Sequence, residues 1–192
     1  MSRRVFVLDG HPGRDTLCGA LVEAYVAGAE ARGHEVRVLR LAEMAFDIDM
    51  EEGYGTKKPL EPCLEAVQEH LAWCEHLALV HPLWWGGVPA KLKGLFDRAL
   101  LPGFAFAYEK GKHFPTKLLT GRSADVLVTA DTPAWYLHLA LRAGGYRAMK
   151  TQILGFCGFR PVRFKTFSSV HESNPDQRKG WIEAARARGA AL

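Results

Sequence analysis

Short apolar runs alternate along this chain with longer segments whose apolar residues recur at helical spacing. A short run rich in β-branched residues is typical of a buried parallel strand, and recurrence at i, i+3 and i+4 is typical of an amphipathic helix. The pattern predicts strands at Arg4–Leu8, Glu35–Leu41, His76–His81, Asp125–Thr129 and Gln152–Cys157. It predicts helices from Thr16 to near Gly33, and over Glu61–Trp73, Pro89–Leu100, Pro133–Met149 and Pro175–Arg188.

These alternating elements form five βα rounds, which predict an α/β fold with five parallel strands in a doubly wound sheet and helices on both faces. With 192 residues, 48% of them hydrophobic, the chain is predicted to form a single domain over residues 1–192. We interpret Val162–Val170 as the outer continuation of the fifth strand. Two long insertions, Asp47–Pro59 and Gly103–Arg122, are predicted to be functional because loops of that length usually are.

Charge and cysteine content narrow the classes of function. The 25 Lys and Arg residues and 21 Asp and Glu residues are scattered, so charge indicates neither a nucleic acid nor a membrane as partner. No apolar run is long enough to span a membrane and the N-terminus lacks a signal-peptide pattern, so we expect a cytoplasmic protein. Cys18, Cys63, Cys74 and Cys157 show no metal-site or disulfide spacing and are interpreted as free thiols.

In a doubly wound sheet, ligands bind beyond the carboxyl ends of the strands, so the turns after strands 1, 3 and 4 are the candidate site. The first turn, GHPGRDTLCGAL, places a histidine and a capping hydroxyl before a helix N-terminus, which is typical of anion binding. The turn matches neither GxGxxG, the dinucleotide-binding pattern, nor GxxxxGK[ST], the P-loop pattern, which argues against both classes of nucleotide site. The candidates to hold a monophosphate or a pyrophosphate are His11, Arg14, Thr16 and the amides of Leu17 and Cys18, although an ordinary loop capped by His11 has the same pattern.

The second turn, HPLWWGGVPAKLKG, combines two adjacent tryptophans with Gly86 and Gly87. Exposed aromatic surface beside approachable backbone suits a flat ligand such as an isoalloxazine ring. The alternative is that Trp84 and Trp85 are core residues, but consecutive residues at a strand end point in opposite directions. The pattern therefore favours ligand contact.

The third turn, TADTPAWY, offers hydroxyls and amides that can bind the polar edge of the same ligand. Asp131 or Thr132 could instead cap the following helix, and Tyr136 could be an ordinary surface aromatic. In the second insertion, Phe104, Phe106 and Tyr108 alternate and so share one face. That face is either one wall of an acceptor pocket or a flap packed on the core.

The segment HPLWWGGVPAKLKGLFDRALLPGFAFAYEKGK resembles the flavodoxin-like NAD(P)H dehydrogenase (quinone) family, which includes DT-diaphorase. VFVLDGHPGRDTLCGAL resembles that family's first strand and phosphate loop, TADTPAWY its third flavin-binding loop, and ILGFCGFRPV its fifth strand. The resemblance runs through the whole chain. It implies a flavodoxin-like fold, a bound flavin, and an oxidoreductase that transfers hydride from NAD(P)H to a quinone or similar electrophile.

The resemblance also implies roles for individual residues. It places His11, Thr16, Leu17 and Cys18 around the flavin phosphate, Pro82, Leu83, Trp84, Trp85 and Gly86 beside the isoalloxazine, and Thr129, Ala130, Asp131 and Thr132 at its pyrimidine end. Leu17 and Cys18 depart from the family's usual Ser-Phe-Asn pattern. Ala130 and Asp131 resemble a smaller bacterial branch and imply FMN, with FAD as the alternative.

For catalysis the resemblance implies that Tyr136 stabilises the reduced flavin, while Arg142 stands where a relay histidine would fall. It implies that Phe106 and Tyr108 contact the substrate and that the protein is a homodimer. The alternative function is a flavin-binding regulatory subunit, such as the ancillary subunits of potassium-efflux systems. The sequence names neither the acceptor nor the preferred nicotinamide.

Overall fold

A computed structural model of the protein describes residues 2–51, 53, 58–111 and 113–192. The main sheet has five parallel strands in the order β2-β1-β3-β6-β7. These strands are β1 Arg4–Asp9, β2 Glu35–Arg40, β3 His76–Pro82, β6 Ser123–Ala130 and β7 Val162–Ser168. A separate short hairpin pairs β4 Phe106–Ala107 with β5 Thr116–Lys117. The predicted doubly wound five-stranded sheet is confirmed.

Helices cover both faces of the sheet. They are α1 Leu17–Glu30, α2 Pro62–Trp73, α3 Ala90–Ala99, α4 Ala134–Leu139, α5 Gly144–Arg147, α6 Gly155–Cys157 and α7 Pro175–Ala190. Alternate residues of β1 serve two cores: Phe6 and Leu8 pack into the core that includes residues of α2 and α3, and Val5 and Val7 into the core under α1 and α7.

The contact between α1 and α7 brings their backbones together through two glycines. A Cβ added at Gly28 would lie 2.0 Å from the carbonyl oxygen of Arg186, and one added at Gly189 would lie 2.1 Å from that of Tyr25. Any side chain at either position would have to push the helices apart. The two glycines therefore set the distance between the helices.

Two predictions in the last third of the chain are wrong. Gln152–Cys157, predicted as the fifth strand, lies in a π-helix, Ala148–Leu154, that continues into α6. The fifth strand is β7, within the segment interpreted as an outer continuation. Leu154 and Cys157 are buried three residues apart, as on one face of a helix, and a short apolar run alone cannot separate a strand from a buried helix.

The predicted helix over Pro133–Met149 is also interrupted. It ends as α4 at Leu139, passes through Arg142 and Ala143 with positive φ of 52° and 47°, and restarts as α5 at Gly144. Parts of the first insertion, and Lys112 in the second, lie outside the described residues. The interruption directs the α5 backbone toward the loop that follows β3.

The four cysteines are free thiols, as predicted. Cys18, Cys74 and Cys157 are buried, and Cys63 is partly exposed near the start of α2. Within the described part of the chain, no helix is long and apolar enough to cross a membrane. The same residues contain no group of three or more His, Cys, Asp or Glu side chains able to hold a metal ion.

Candidate functional site

The loops that follow β1, β3 and β6 meet around one cavity of about 240 Å³. They meet because the carboxyl ends of parallel strands lie at the same edge of the sheet. The lining residues are His11, Thr16, Leu17, Cys18, Pro82, Leu83, Trp84, Thr129, Ala130, Asp131 and Val170. All of them except Val170 are among the predicted cofactor-binding residues.

The N-terminus of α1 forms one wall of the cavity. Thr16 is the N-cap, and its side chain accepts a hydrogen bond from the Gly19 amide at 3.2 Å. The amides of Leu17 and Cys18 have no acceptor within the helix, as in the first turn of any helix. No acidic side chain lies in that turn. The helix therefore presents N–H groups and the positive end of its dipole to an anion.

His11 lies in the loop before α1 and contacts two parts of the site. Its Nδ1 lies 2.9 Å from the Gly13 amide and 3.3 Å from the Gly13 carbonyl oxygen. The shorter contact, with the amide as donor, favours the neutral tautomer whose proton is on Nε2. The ring lies edge-on to Trp84, with centroids 5.7 Å apart. His11 thus caps the loop, as the simpler interpretation expects, and keeps Nε2–H as a donor.

Cys18 joins the first loop to the third, since its Sγ lies 3.4 Å from Oγ1 of Thr129. Burial raises the pKa of the Cys18 thiol to about 12, so it stays protonated at neutral pH and is not a nucleophile. This cross-loop hydrogen bond occupies the side chain at a position where the resembled family usually has asparagine.

Asp9, which the sequence analysis did not select, lies beneath the first loop. The side chain is buried, and its Oδ1 accepts a hydrogen bond from the His11 amide at 3.0 Å. Burial raises the pKa of Asp9, opposed by that hydrogen bond and by Arg40, whose guanidinium lies 3.5 Å away. The Asp9 carboxylate therefore helps to hold the loop that begins at His11.

The loop after β3 closes into a tight hairpin. Trp84 and Gly87 exchange two backbone hydrogen bonds of 3.0 Å, and the residues between them, Trp85 and Gly86, have positive φ of 51° and 73°. Positive φ at both central residues is typical of a type I′ turn. For the non-glycine Trp85 it costs about 1–2 kcal/mol. Trp85 is fully exposed and Trp84 nearly half exposed, so neither is a core residue.

The third loop is tied to the chain that follows β7. Oδ1 of Asp131 accepts a hydrogen bond from the His171 amide at 2.8 Å, and the Val170 amide donates to the Ala130 carbonyl at 3.2 Å. The N-cap of α4 is Pro133, without a side-chain cap, so Asp131 and Thr132 do not cap this helix. Asp131 joins two loops of the site instead.

Several predicted residues lie outside the cavity lining. Trp85, Gly86 and Thr132 are in the lining loops but not on the cavity wall. Tyr136 is 43% exposed on α4, where its ring contacts Trp135. Phe106, which lies in β4, packs against Phe156 of α6 and against Tyr108. Tyr108 itself is 75% exposed. The roles predicted for Tyr136, Phe106 and Tyr108 stay predictions.

A larger cavity, of about 580 Å³, lies elsewhere, between the chain around Lys58 and the turn after α3. Among the described residues that line it, the one buried charged side chain is that of Arg98, which bonds to Glu61 and to the carbonyls of Asp47 and Pro59. Arg98 uses the N–H groups of its guanidinium in these bonds, which hold the first insertion in place. The smaller cavity, with donors at a helix N-terminus, is the better candidate site.

Comparison with known proteins agrees with the fold. Residues 3–191 match a family described as having a flavodoxin-like fold. The chain is 32% identical to an FMN-dependent NADH:quinone oxidoreductase of Nitratidesulfovibrio vulgaris, over 92% of this chain and 90% of that one. An uncharacterized NAD(P)H oxidoreductase of Haemophilus influenzae is 31% identical over 65% of this chain, and the match spans 62% of that relative's length.

Among solved structures, the NAD(P)H:quinone oxidoreductase from Methanothermobacter marburgensis superposes with a TM-score of 0.83 at 26% identity. That superposition covers 100% of this chain and 98% of the other. The family match over residues 3–191 and the superposition over the whole chain both extend over the loops that line the cavity. The chain therefore belongs to the flavodoxin-like family that contains these NAD(P)H:quinone oxidoreductases.

Proposed function

We propose that this protein is an FMN-dependent oxidoreductase that transfers hydride from NAD(P)H to a quinone or a similar electrophile. The observation that carries the proposal is one cavity with two kinds of wall. The α1 N-terminus and His11 provide donors for a phosphate, and Trp84 provides an aromatic surface next to backbone N–H and C=O groups. The relative in Nitratidesulfovibrio vulgaris is named for FMN, NADH and quinone.

The residues present fit FMN. The amides of Leu17 and Cys18, with His11 and Thr16, would hold the phosphate, and the loops 82–87 and 129–132 would hold the ring. A cavity of about 240 Å³ is smaller than the ~300–1,000 Å³ of complete ligand sites. It can therefore enclose only part of FMN, and the rest of the ring needs a further wall.

Bound FMN would supply the redox chemistry, accepting hydride from NAD(P)H and passing it to the acceptor. With one proton from water, the hydride converts a quinone to its hydroquinone, and NAD(P)H leaves as NAD(P)⁺. The protein's part is to orient the two reactants on one face of the ring and to exclude water. The Tyr136 hydroxyl is the candidate donor to the negative charge on reduced flavin.

We infer that a second copy of the chain supplies the missing wall. Four large apolar side chains are exposed in the loop that follows β3 or in and just after α4: Trp85, Trp135, Leu139 and Leu141. Apolar side chains exposed in this way are typical of a protein interface. Phe106 and Tyr108 are the candidate substrate contacts in the completed pocket. Free cysteines throughout the chain support a cytoplasmic location.

The test begins with purified protein. We expect it to bind FMN, to consume NADH or NADPH when a benzoquinone is added, and to sediment as a dimer. If the protein binds FMN but does not oxidise NADH or NADPH in the presence of the quinone, the result would contradict the proposed oxidoreductase activity and favour the alternative, a flavin-binding regulatory subunit. Protein that binds no flavin would contradict both functions, and a monomer in sedimentation would contradict the shared pocket.

Tyr136→Phe tests the proposed donor. We expect reoxidation of the reduced flavin by benzoquinone to slow by about tenfold, because the variant lacks one hydrogen-bond donor to the transition state and water replaces it in part. Stopped-flow absorbance measures that rate. The dissociation constant of FMN, which should not change, is the internal control. An unchanged reoxidation rate would remove Tyr136 from this role.

A further inference from the structure

Gly145, at the second position of α5, lies directly against the hairpin Trp84–Gly87. A Cβ added at Gly145 would be 2.0 Å from the carbonyl oxygen of Gly86, 3.1 Å from its carbonyl carbon and 3.5 Å from Cα of Gly87. Outside their own residue and its neighbours in the chain, real Cβ atoms essentially never have a heavy atom within 3.0 Å. Only glycine fits here, and the atoms it meets belong to backbone, which cannot rotate away.

The α5 backbone is held in place from its other side. Tyr146 is buried, its ring stacks on Phe164 with centroids 5.0 Å apart and planes 9° apart, and its hydroxyl lies 3.0 Å from Oγ1 of Thr166. Phe164 and Thr166 belong to β7, a strand of the main sheet. A bulkier residue at position 145 would therefore displace the hairpin more readily than it would displace α5.

The hairpin has little else to hold its tip. The Trp85 side chain is fully exposed and packs on nothing that would fix the turn, and its positive φ is unfavourable for a residue with a Cβ. The two hydrogen bonds between Trp84 and Gly87 close the turn. The Leu83 amide, which donates to the Thr129 carbonyl at 2.8 Å, holds the base of the hairpin on the sheet. The backbone contact with Gly145 positions the tip.

We propose that Gly145 is a positioning residue of the flavin site. Because Gly145 lets α5 contact the Gly86 carbonyl, it holds the hairpin in the position where Trp84 contacts His11 and lines the cavity. The inference rests on the proposed function for its ligand, but the contact itself is a property of the flavin-free protein. Gly145 touches no reactant and acts only through the hairpin.

The neighbouring glycine provides a matched control. Gly144→Ala and Gly145→Ala introduce the same methyl group at adjacent positions of α5, and a Cβ at Gly144 meets nothing within 4 Å. Fluorescence titration with FMN should show the dissociation constant of Gly145→Ala raised about tenfold, as expected from overpacking at a rigid contact, and that of Gly144→Ala within about twofold of wild type. In the flavin-free proteins, hydrogen exchange of the Gly87 amide should quicken only in Gly145→Ala.

If Gly145→Ala binds FMN as tightly as wild type, or if Gly144→Ala weakens binding equally, the proposal is wrong. A lower urea midpoint with unchanged FMN affinity and unchanged Gly87 exchange would make Gly145 merely structural and would overturn it too. Wild-type protein that binds no FMN would contradict the proposed function, while the exchange comparison would still decide the contact. Should Gly145→Ala fail to fold, Tyr146→Phe loosens α5 more gently and should raise the FMN dissociation constant about threefold.

Discussion

Gly189→Ala is expected to lower the free energy of unfolding by about 3 kcal/mol, at the upper end of the usual cost of overpacking. The new methyl group would lie 2.1 Å from the carbonyl oxygen of Tyr25 and 3.1 Å from the amide of Ala29, both in the backbone of α1. Relief requires α1 and α7 to separate, which would loosen the core beneath them. Urea unfolding followed by far-UV circular dichroism measures the change.

Gly180→Ala is the matched control for this prediction. It changes the same residue type on the same helix, at a position where a Cβ meets nothing within 4 Å. Alanine is the better helix former by about 1 kcal/mol, so this variant should be slightly more stable than wild type. Opposite signs for the two variants are the expected result, and stabilisation of both would show that helix propensity, not close packing, governs α7.

Asp125→Asn is expected to destabilise the protein by about 3 kcal/mol at pH 7, because it removes the charge of a buried carboxylate and leaves Arg188, which is only partly exposed, without its ion-pair partner. Asp125 is buried and accepts hydrogen bonds of 2.8 and 2.6 Å from Arg188, which fasten α7 to β6. The Tyr25 hydroxyl donates to it at 3.1 Å and lies 3.0 Å from Nε2 of His76. One carboxylate thus connects elements from four parts of the chain.

The pH dependence of this effect has a definite sign. Burial alone would raise the pKa of Asp125, but hydrogen bonds and charges from Arg188 and His76 outweigh it and hold that pKa well below its usual range. A pKa lowered by folding gives stability that is present above the unfolded value of about 3.9 and is lost as the pH falls further. The difference between wild type and Asp125→Asn should therefore be largest near pH 7 and shrink below about pH 4.

Glu183→Gln is the control, since Glu183 pairs with Arg186 on the exposed side of the same helix at 3.8 Å. Such surface pairs contribute about 0–1 kcal/mol, so its unfolding midpoint should follow that of wild type at every pH. A difference between wild type and Asp125→Asn that stays constant down to pH 3 would show that the carboxylate charge is not responsible.

The sheet and three of its ligand loops could be predicted from the sequence because both depend on local signals. Each of the first four strands of the main sheet is a short apolar run, and the rule that ligands bind at the carboxyl ends of parallel strands brings His11, Trp84 and Thr129 together without any knowledge of contacts. The hairpin at Trp84 is another local feature, since Gly86 and Gly87 indicate a turn.

The errors have physical causes. β7 is an edge strand that is buried only in part, and its apolar signal is weaker than that of the helical segment before it. The predicted fifth strand lies in that helical segment, so the predicted site contains no loop after the true strand and does not include Val170. The network at Asp125 joins residues that are 51 to 100 positions apart in the sequence, so no local pattern could indicate it.

The distribution of the four thiols gives the folded chain the reactivity of a protein with a single cysteine. Burial raises the pKa of Cys18 to about 12 and those of Cys74 and Cys157 to about 11, which denies alkylating reagents both access and thiolate. Cys63 alone is partly exposed. We therefore expect a maleimide dye to react first at Cys63, near the start of α2 and outside the loops that line the cavity.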